Sequence, residues 1–398
     1  MGFIQSTEKD ICCCPRHFIK DFDYLVDRDY NNKVMRINKI IKLQANIRRF
    51  LVCLRIFPNK YPHVTKINMD FNTSNIEKNP IIQKLNNLLP KFELSEKETY
   101  EINNTNLKLA AFIYPNKSIY KGMVNNLGQK EGFGKLYLQN GSIYKGFFHN
   151  NLMSGRGRLM NINGFIYDGE FKQGLSNGYG KYISLDGTTY KGTWSNDKQC
   201  GFGDETYADG SHYTGNFDKG KKNGQGKLVF HDMNRYEGNF TDNKIEGEGT
   251  YIWKDGRKYI GKWVNNKMHG YGIFHWPDKK RYYGHYKLNL KDGFGMFFWG
   301  DGHKFEGFWR NGKQHGYGLI KGVNEEDVEK YGEWMEGKFV LKIESDPLKN
   351  KIRALIEYEK STKEFIEFQV NIERYEKVIF DSAFSQETGP YSNQQNKS

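Results

Sequence analysis

Proline is scarce in this sequence, with 9 in 398 residues, and cysteine scarcer, with 5. The 43 glycines follow no Gly-X-Y period, which excludes a collagen-like chain, and they are too many for a helical bundle. No stretch reaches 18 consecutive apolar residues, and apolar residues make up only 37% of the chain at a mean hydropathy of −0.79, so a helical membrane bundle is excluded. The N-terminus lacks a basic stretch followed by an apolar one, so no secretory leader is expected. The odd cysteine count, with no CxxC pair and no adjacent histidine, excludes a disulfide framework and a cysteine metal site, and points to a reduced, intracellular protein. Also missing are a nucleophile elbow, HExxH, GxxxxGK[ST] and an EF-hand loop. No catalytic residue, metal ligand or cofactor site is therefore assigned, and the ten histidines are scattered.

Aromatic residues are abundant at 15%, which excludes general disorder. Sixty Lys and Arg against 47 Asp and Glu give a net charge of +13, a balance that favours anionic partners. At roughly 150 residues per domain the length allows two or three globular units, or one repeat array with flanks.

An internal repeat decides between these. Tyr-x-Gly recurs at Tyr120, Tyr144, Tyr167, Tyr190, Tyr213, Tyr236, Tyr259 and Tyr282, and as Phe-x-Gly at Phe305. The spacing is constant from Tyr144 to Phe305, and only the step from Tyr120 to Tyr144 is one position longer. Two residues after the Gly stands an apolar or aromatic residue, such as Phe148, Trp194 or Trp263, followed by a polar turn and Gly-x-Gly. A second apolar run closes with Asn140-Gly141, Asn163-Gly164, Asp186-Gly187, Asp209-Gly210, Asp255-Gly256 or Asp301-Gly302, dipeptides that suit tight type I′ turns. Asp232-Met233 and Asp278-Lys279 depart from this, which predicts wider turns there. Tyr, Gly and the aromatic alternate with period two, so they share one face of a strand. The gap above the Gly suits an aromatic from the neighbouring strand. One hairpin cannot bury such a face alone, so successive units must stack. Nine two-strand units at ~4.8 Å per strand predict a sheet on the order of 85 Å long.

These residues closely resemble the MORN repeat family (membrane occupation and recognition nexus), over about Ile119 to Lys338. The resemblance implies a mainly β fold: an elongated single-layer antiparallel sheet of consecutive hairpins, about nine repeats plus a degenerate cap at Gly332-Glu333-Trp334, flanked by N-terminal and C-terminal helices. It also implies a scaffold in cilia, cell-cortex structures or membrane junctions, or an accessory to a phosphoinositide enzyme. The Gly-x-Gly elements recur within hairpins and do not open helices, so they are structural and not phosphate loops.

Two features of the array suit binding. The middle residue of Gly-x-Gly points away from the Tyr face and is aromatic at Phe133, Tyr179, Phe202, Tyr271, Phe294 and Tyr317. Such rings either form a groove for an apolar helix or peptide, or cover the second face beneath a flanking helix. Lys198, Lys221, Lys244, Lys267 and Lys313 share one register and line a turn edge. That line suits anionic phospholipid or an acidic tail, or is simply a solvated turn position.

The flanks divide into an N-terminal segment 1–30, a basic helix 31–60, a linker with a short helix 61–118 and, beyond the array at 119–340, an amphipathic helical region 341–384 and a tail 385–398. Gly2 lies where N-myristoylation would modify it, and Cys12, Cys13 and Cys14 are palmitoylation candidates; a chance cluster at a flexible terminus is the alternative. Asn31 to Met69 holds nine basic residues and no acidic one. Within it Leu43, Gln44, Ile47, Arg48, Arg49, Leu51 and Arg55 resemble a degenerate IQ motif, which implies a calmodulin-like EF-hand partner; membrane contact and packing against the array fit as well. Pro80 to Leu89 predicts a short helix, and Pro347 to about Ser382 an amphipathic one covering the end of the sheet. The leading expectation is a non-catalytic scaffold that docks proteins at a membrane or cytoskeletal (ciliary, axonemal or cortical) structure, with Ca²⁺/calmodulin-responsive regulation as the alternative and no nucleic-acid partner.

Overall fold

In a computed structural model the chain is described over residues 73–324 and 329–371. Among the described residues, twenty-one strands belong to one antiparallel sheet of consecutive hairpins, from Lys108–Ile113 to Lys338–Ile343. The sheet thus begins one strand before the first repeat and ends with the degenerate unit, whose Trp334 packs edge-on against Phe305 at 4.9 Å. The described residues divide into two compact units, 73–232 with 240–243, and 233–239 with 244–371.

A single repeat shows how the sequence closes a unit. Strand Thr189–Ser195 turns through Asn196 and Asp197 into strand Lys198–Thr206, pairing Ser195 with Lys198 and Gly192 with Gly203. Both turn residues have positive φ (49° and 62°), as do Asn150-Asn151 and Asn265-Asn266, so the type I′ turns lie here. The expectation that Asn140-Gly141 and its equivalents form those turns is corrected. There only the glycine has positive φ, and Leu138 N–H donates to Ser142 O while Gly141 N–H donates to Leu138 O. These are three-residue loops with one left-handed residue at the end. Asp278-Lys279 makes the same loop with Lys279 at φ 68°, so it is no wider than the others.

Successive tight turns are stapled. The Asn151 side chain accepts from Lys130 N–H at 2.8 Å, Asp197 from Ser176 at 2.7 Å, Asn266 from Ile245 at 2.7 Å and Asn289 from Met268 at 2.8 Å. Each of these bonds fixes one hairpin to the preceding one.

The Tyr face is the repeated core. Tyr144 is fully buried, its ring lies over Gly146 and Gly157, and its hydroxyl donates to Phe147 O at 2.9 Å. The gap above the glycines is therefore filled by the strand's own Tyr, not by an aromatic of the neighbouring strand as expected. Rings meet edge to face: Tyr144–Phe148, Tyr144–Phe171, Tyr167–Phe171 and Tyr167–Trp194 stand at 5.1–5.2 Å. The second unit repeats this from Tyr236–Trp263 to Tyr282–Trp309.

The opposite face is covered only in part. In the first unit α1 (Ser74–Glu77), α2 (Pro80–Asn86) and α3 (Glu96–Asn103) precede the sheet, and α2 buries Ile82 and Leu85 against Tyr137, Ile143, Met160 and Ile166. Pro80 opens α2 as expected, and Asn79 caps it by accepting from Ile81 N–H at 2.9 Å. In the second unit α4 (Asp346–Ser361) and a helical stretch at 363–371 bury Ile352, Ile356 and Phe365 against Phe294, Leu319 and Tyr331. The C-terminal helix thus covers the last strands of the sheet by lying on their face. Phe339, Val340 and Leu341 of the last strand are about half exposed.

Candidate binding face

The middle residues of Gly-x-Gly fall into two groups. Phe133 stacks on Phe92, in the stretch between α2 and α3, at 6.2 Å and meets Phe147 at 5.6 Å. Tyr271 stacks on Phe368 at 5.4 Å, and Phe294 packs on Phe365 at 5.9 Å with 2% of its surface exposed. Tyr179, Phe202 and Tyr317 stand uncovered, at 51%, 65% and 38% exposure. The covered and the open reading of this face thus each hold for three of the six rings.

Charge accompanies the covering. Lys135 Nζ meets Glu77 at 2.5 Å, and Arg156 meets Glu98 at 2.8–2.9 Å. Lys145 donates to Phe92 O and Arg158 to Pro90 O. In the second unit Glu306, 1% exposed, holds Lys304 at 2.7 Å and Lys360 of α4 at 2.8 Å. Burial alone would raise the Glu306 pKa, but these two ammonium groups outweigh it and hold it below the usual carboxylate range. Glu329 is likewise held down to about 2, its burial offset by bonds from Tyr331, Arg353 of α4 and Lys321.

The lysine register lies at the start of each second strand, directly after the tight turn. Lys221 pairs with Asp242 at 3.0 Å, Lys244 donates to Asn265 at 2.8 Å and Lys313 pairs with Glu336 at 3.4 Å, while Lys198 and Lys267 make no ion pair among the described residues. Gly2, Cys12, Cys13, Cys14 and the IQ-like residues Leu43 to Arg55 lie outside the described residues.

Sequence reasoning missed the cations inside the Tyr face. Lys130, 3% exposed, lies 4.9 Å from the Tyr114 ring centroid, and burial pulls its pKa down to about 8. Lys291 stands 4.5–5.2 Å from the ring centroids of Trp276, Tyr282, Phe297 and Trp309. Both occupy a repeat position that also holds Lys222 and is apolar at Met153, Ile245 and Met268, and a cation in place of the apolar residue was the available signal.

Where the 363–371 stretch crosses the second unit, Glu248, His269, Tyr271, His285, Glu367 and Phe368 line a cavity of about 350 Å³. His269 Nδ1 is buried there without a hydrogen-bond partner, and its ring meets His285 edge-on at 6.3 Å. Among the described residues no group of His, Cys, Asp and Glu could hold a metal ion, and no helix is long and apolar enough to cross a membrane.

Comparison with known proteins agrees with the repeat geometry. The family model described as MORN repeat matches nine consecutive segments, beginning at 126–143 and ending at 305–324. No curated protein matches the chain. Among solved structures, the TCP10 domain of Danio rerio CPAP aligns at 12% identity over 59% of this chain and 99% of its own, with a TM-score of 0.29. The Drosophila melanogaster SAS-4 TCP domain, solved with a proline-rich motif of Ana2, aligns at 14% identity over 50% of this chain and 99% of its own, at 0.25. At these TM-scores the likeness carries no functional argument.

Proposed function

The chain belongs to the MORN-repeat family, and on that premise we propose that it is a non-catalytic scaffold that docks partner proteins on its Gly-x-Gly face at a membrane or cytoskeletal structure. The observation that carries this reading is the occupancy of that face. In each unit it already receives flanking segments of the chain itself, by rings stacked on the Gly-x-Gly aromatics and by ion pairs from neighbouring helices. Tyr179 and Phe202 offer the same chemistry with nothing on it among the described residues. Exposed rings beside glycines accept the apolar stripe of a helix without backbone interference.

The test locates the tagged full-length chain in cells beside two variants. If the face docks partners on a cytoskeletal structure, Tyr179→Ala with Phe202→Ala disperses the protein while leaving its thermal unfolding unchanged. If Gly2→Ala with Cys12, Cys13 and Cys14→Ser disperses it and the ring variant does not, the tether is an acyl chain in a membrane. A ring variant that keeps both its location and every protein cross-linked to the wild type overturns docking on this face.

A further inference from the structure

Resting on the docking reading above, we propose that the uncovered stretch of the first unit's Gly-x-Gly face receives an acidic amphipathic helix. Strand register places one row of side chains across this face: Asp168 opposite Lys181, Lys181 opposite Lys191, Lys191 opposite Asp204, Asp204 opposite Thr214 and Thr214 opposite Lys227. The two carboxylates are already engaged. Asp168 is bound by Arg158, and Asp204 by His212 at 3.1 Å and Thr214 at 2.9 Å. Glu170, opposite Arg156 in register, lies over Gly178 at the margin of this stretch, and Arg156 is bound to Glu98. Lys181, Lys191 and Lys227 are exposed and make no hydrogen bond or ion pair among the described residues. Lys181 and Lys191 stand directly opposite each other, a like-charge pair that costs stability and is only partly offset by Asp168 and Asp204, which already hold other partners.

The covered parts of the same face show what satisfies such a row. Over Lys135 and Arg156 the covering segment places Glu77 and Glu98. Over Glu306 it places Lys360. At these positions a helix beside the ring contacts carries the opposite charge to the side chain of the sheet that it meets. Applied to the open stretch, that complementarity requires carboxylates beside an apolar stripe.

The rings set the stripe. Tyr179 and Phe202 lie two strands apart, ~10 Å, and a helix advances ~10.5 Å in seven residues, so apolar positions one heptad apart meet both rings. The chain's own basic segment, Asn31 to Met69, has nine basic residues and no acidic one, so its charge is of the wrong sign. An anionic membrane fits less well than a helix. A lipid surface would face Asp168 and Asp204 as well as the lysines, whereas a helix sets its carboxylates over the lysines alone.

The experiment uses the full-length chain and two labelled peptides of about 21 residues, three heptads. Both carry the same leucine stripe; one has glutamates on its flanks and the other lysines. The glutamate peptide should bind about tenfold tighter than its lysine counterpart. Lys181→Glu with Lys191→Glu and Lys227→Glu should reverse that order, and Tyr179→Ala with Phe202→Ala should weaken both peptides. Equal binding of the two peptides, still lost in the ring variant, overturns the acidic helix and leaves docking on the face intact. Binding that ignores the ring variant counts against both. Phosphatidylcholine vesicles containing phosphatidylserine serve as the third probe. If they bind the wild type and not the lysine variant, and the glutamate peptide does not compete, the face is a lipid surface and the proposal is wrong.

Discussion

Each repeat solves two separate problems with the two glycines of its Gly-x-Gly. The first, Gly155 for example, has φ 75° and sits where the register shifts between Gly146 and Phe148, so it absorbs a β-bulge. The second, Gly157, is needed for closeness: a Cβ there would stand 2.6 Å from Cε2 and Cζ of the Tyr144 ring. At Gly155 the nearest atom to a new Cβ is Phe147 Cβ at 3.5 Å, so only backbone strain opposes a side chain. Gly157→Ala should therefore cost about 2–3 kcal/mol by forcing Tyr144 from its slot, and Gly155→Ala about 1 kcal/mol. Urea unfolding of the two variants measures this directly. Equal losses would mean that the Tyr ring yields easily and is not what the second glycine protects. Much of this face was legible in the sequence, because all nine units obey the same constraint and the spacing of Tyr or Phe, Gly and an apolar or aromatic residue repeats it nine times. The placement of the tight turns was not. Asn-Gly and Asp-Gly are stronger local turn signals than Asn196-Asp197 or Leu288-Asn289, and only the pairing shows which turn takes two left-handed residues.

At the scale of elements, the covering helices are held by charge as well as by rings, so their docking responds to pH. Glu306 and Glu329 both have folded pKa values below the ordinary carboxylate value of 4.5, Glu329 about 2. A carboxylate with a depressed pKa adds stability above its unfolded pKa and loses it as pH falls toward the folded one. The docking of α4, which supplies Lys360 and Arg353, should therefore weaken progressively from about pH 4.5 toward pH 2. His275 acts in a different window. Burial lowers its pKa from 6.5 to about 4, so its share of stability disappears as pH falls between those values, because the unfolded chain takes up the proton first. Native-state hydrogen exchange separates the two effects. Amides around Ile352 and Ile356 should open below pH 4.5, after the change due to His275 is nearly complete. If α4 keeps its protection down to pH 2.5, Phe365 and its ring contacts hold the helix without help from the ion pairs. This layer was only half visible in the sequence. The periodicity around Pro80 and through Ile352, Ile356, Phe365 and Phe368 announced helices, but their seats depend on Phe133, Tyr271 and Glu306, positions that vary from repeat to repeat.

At the scale of the whole molecule, each repeat contacts only its neighbours, so stability should behave as a sum of repeats and interfaces. Phase, more than the identity of any one repeat, then decides whether the array folds. Removing 192–214, one full period, joins Lys191 to Gly215 and restores Tyr-x-Gly-x-Phe as Tyr190, Lys191, Gly215, Asn216 and Phe217. The turns and the staples on either side keep their spacing. Removing 192–213, one position short of a period, joins Lys191 to Thr214 and puts the glycine three positions after Tyr190. A shift of one residue turns every following side chain to the other face, so Tyr190 would lie against Thr214 and the ring ladder would break. Both cuts fall within a strand, where no loop can absorb the difference. The full-period deletion should unfold cooperatively with a smaller denaturant slope, because less surface is exposed on unfolding. The shorter deletion should lose the transition of the first unit. Equal transitions in the two deletions would show that the strands tolerate a register slip, and that the Tyr ladder does not set the order of the array.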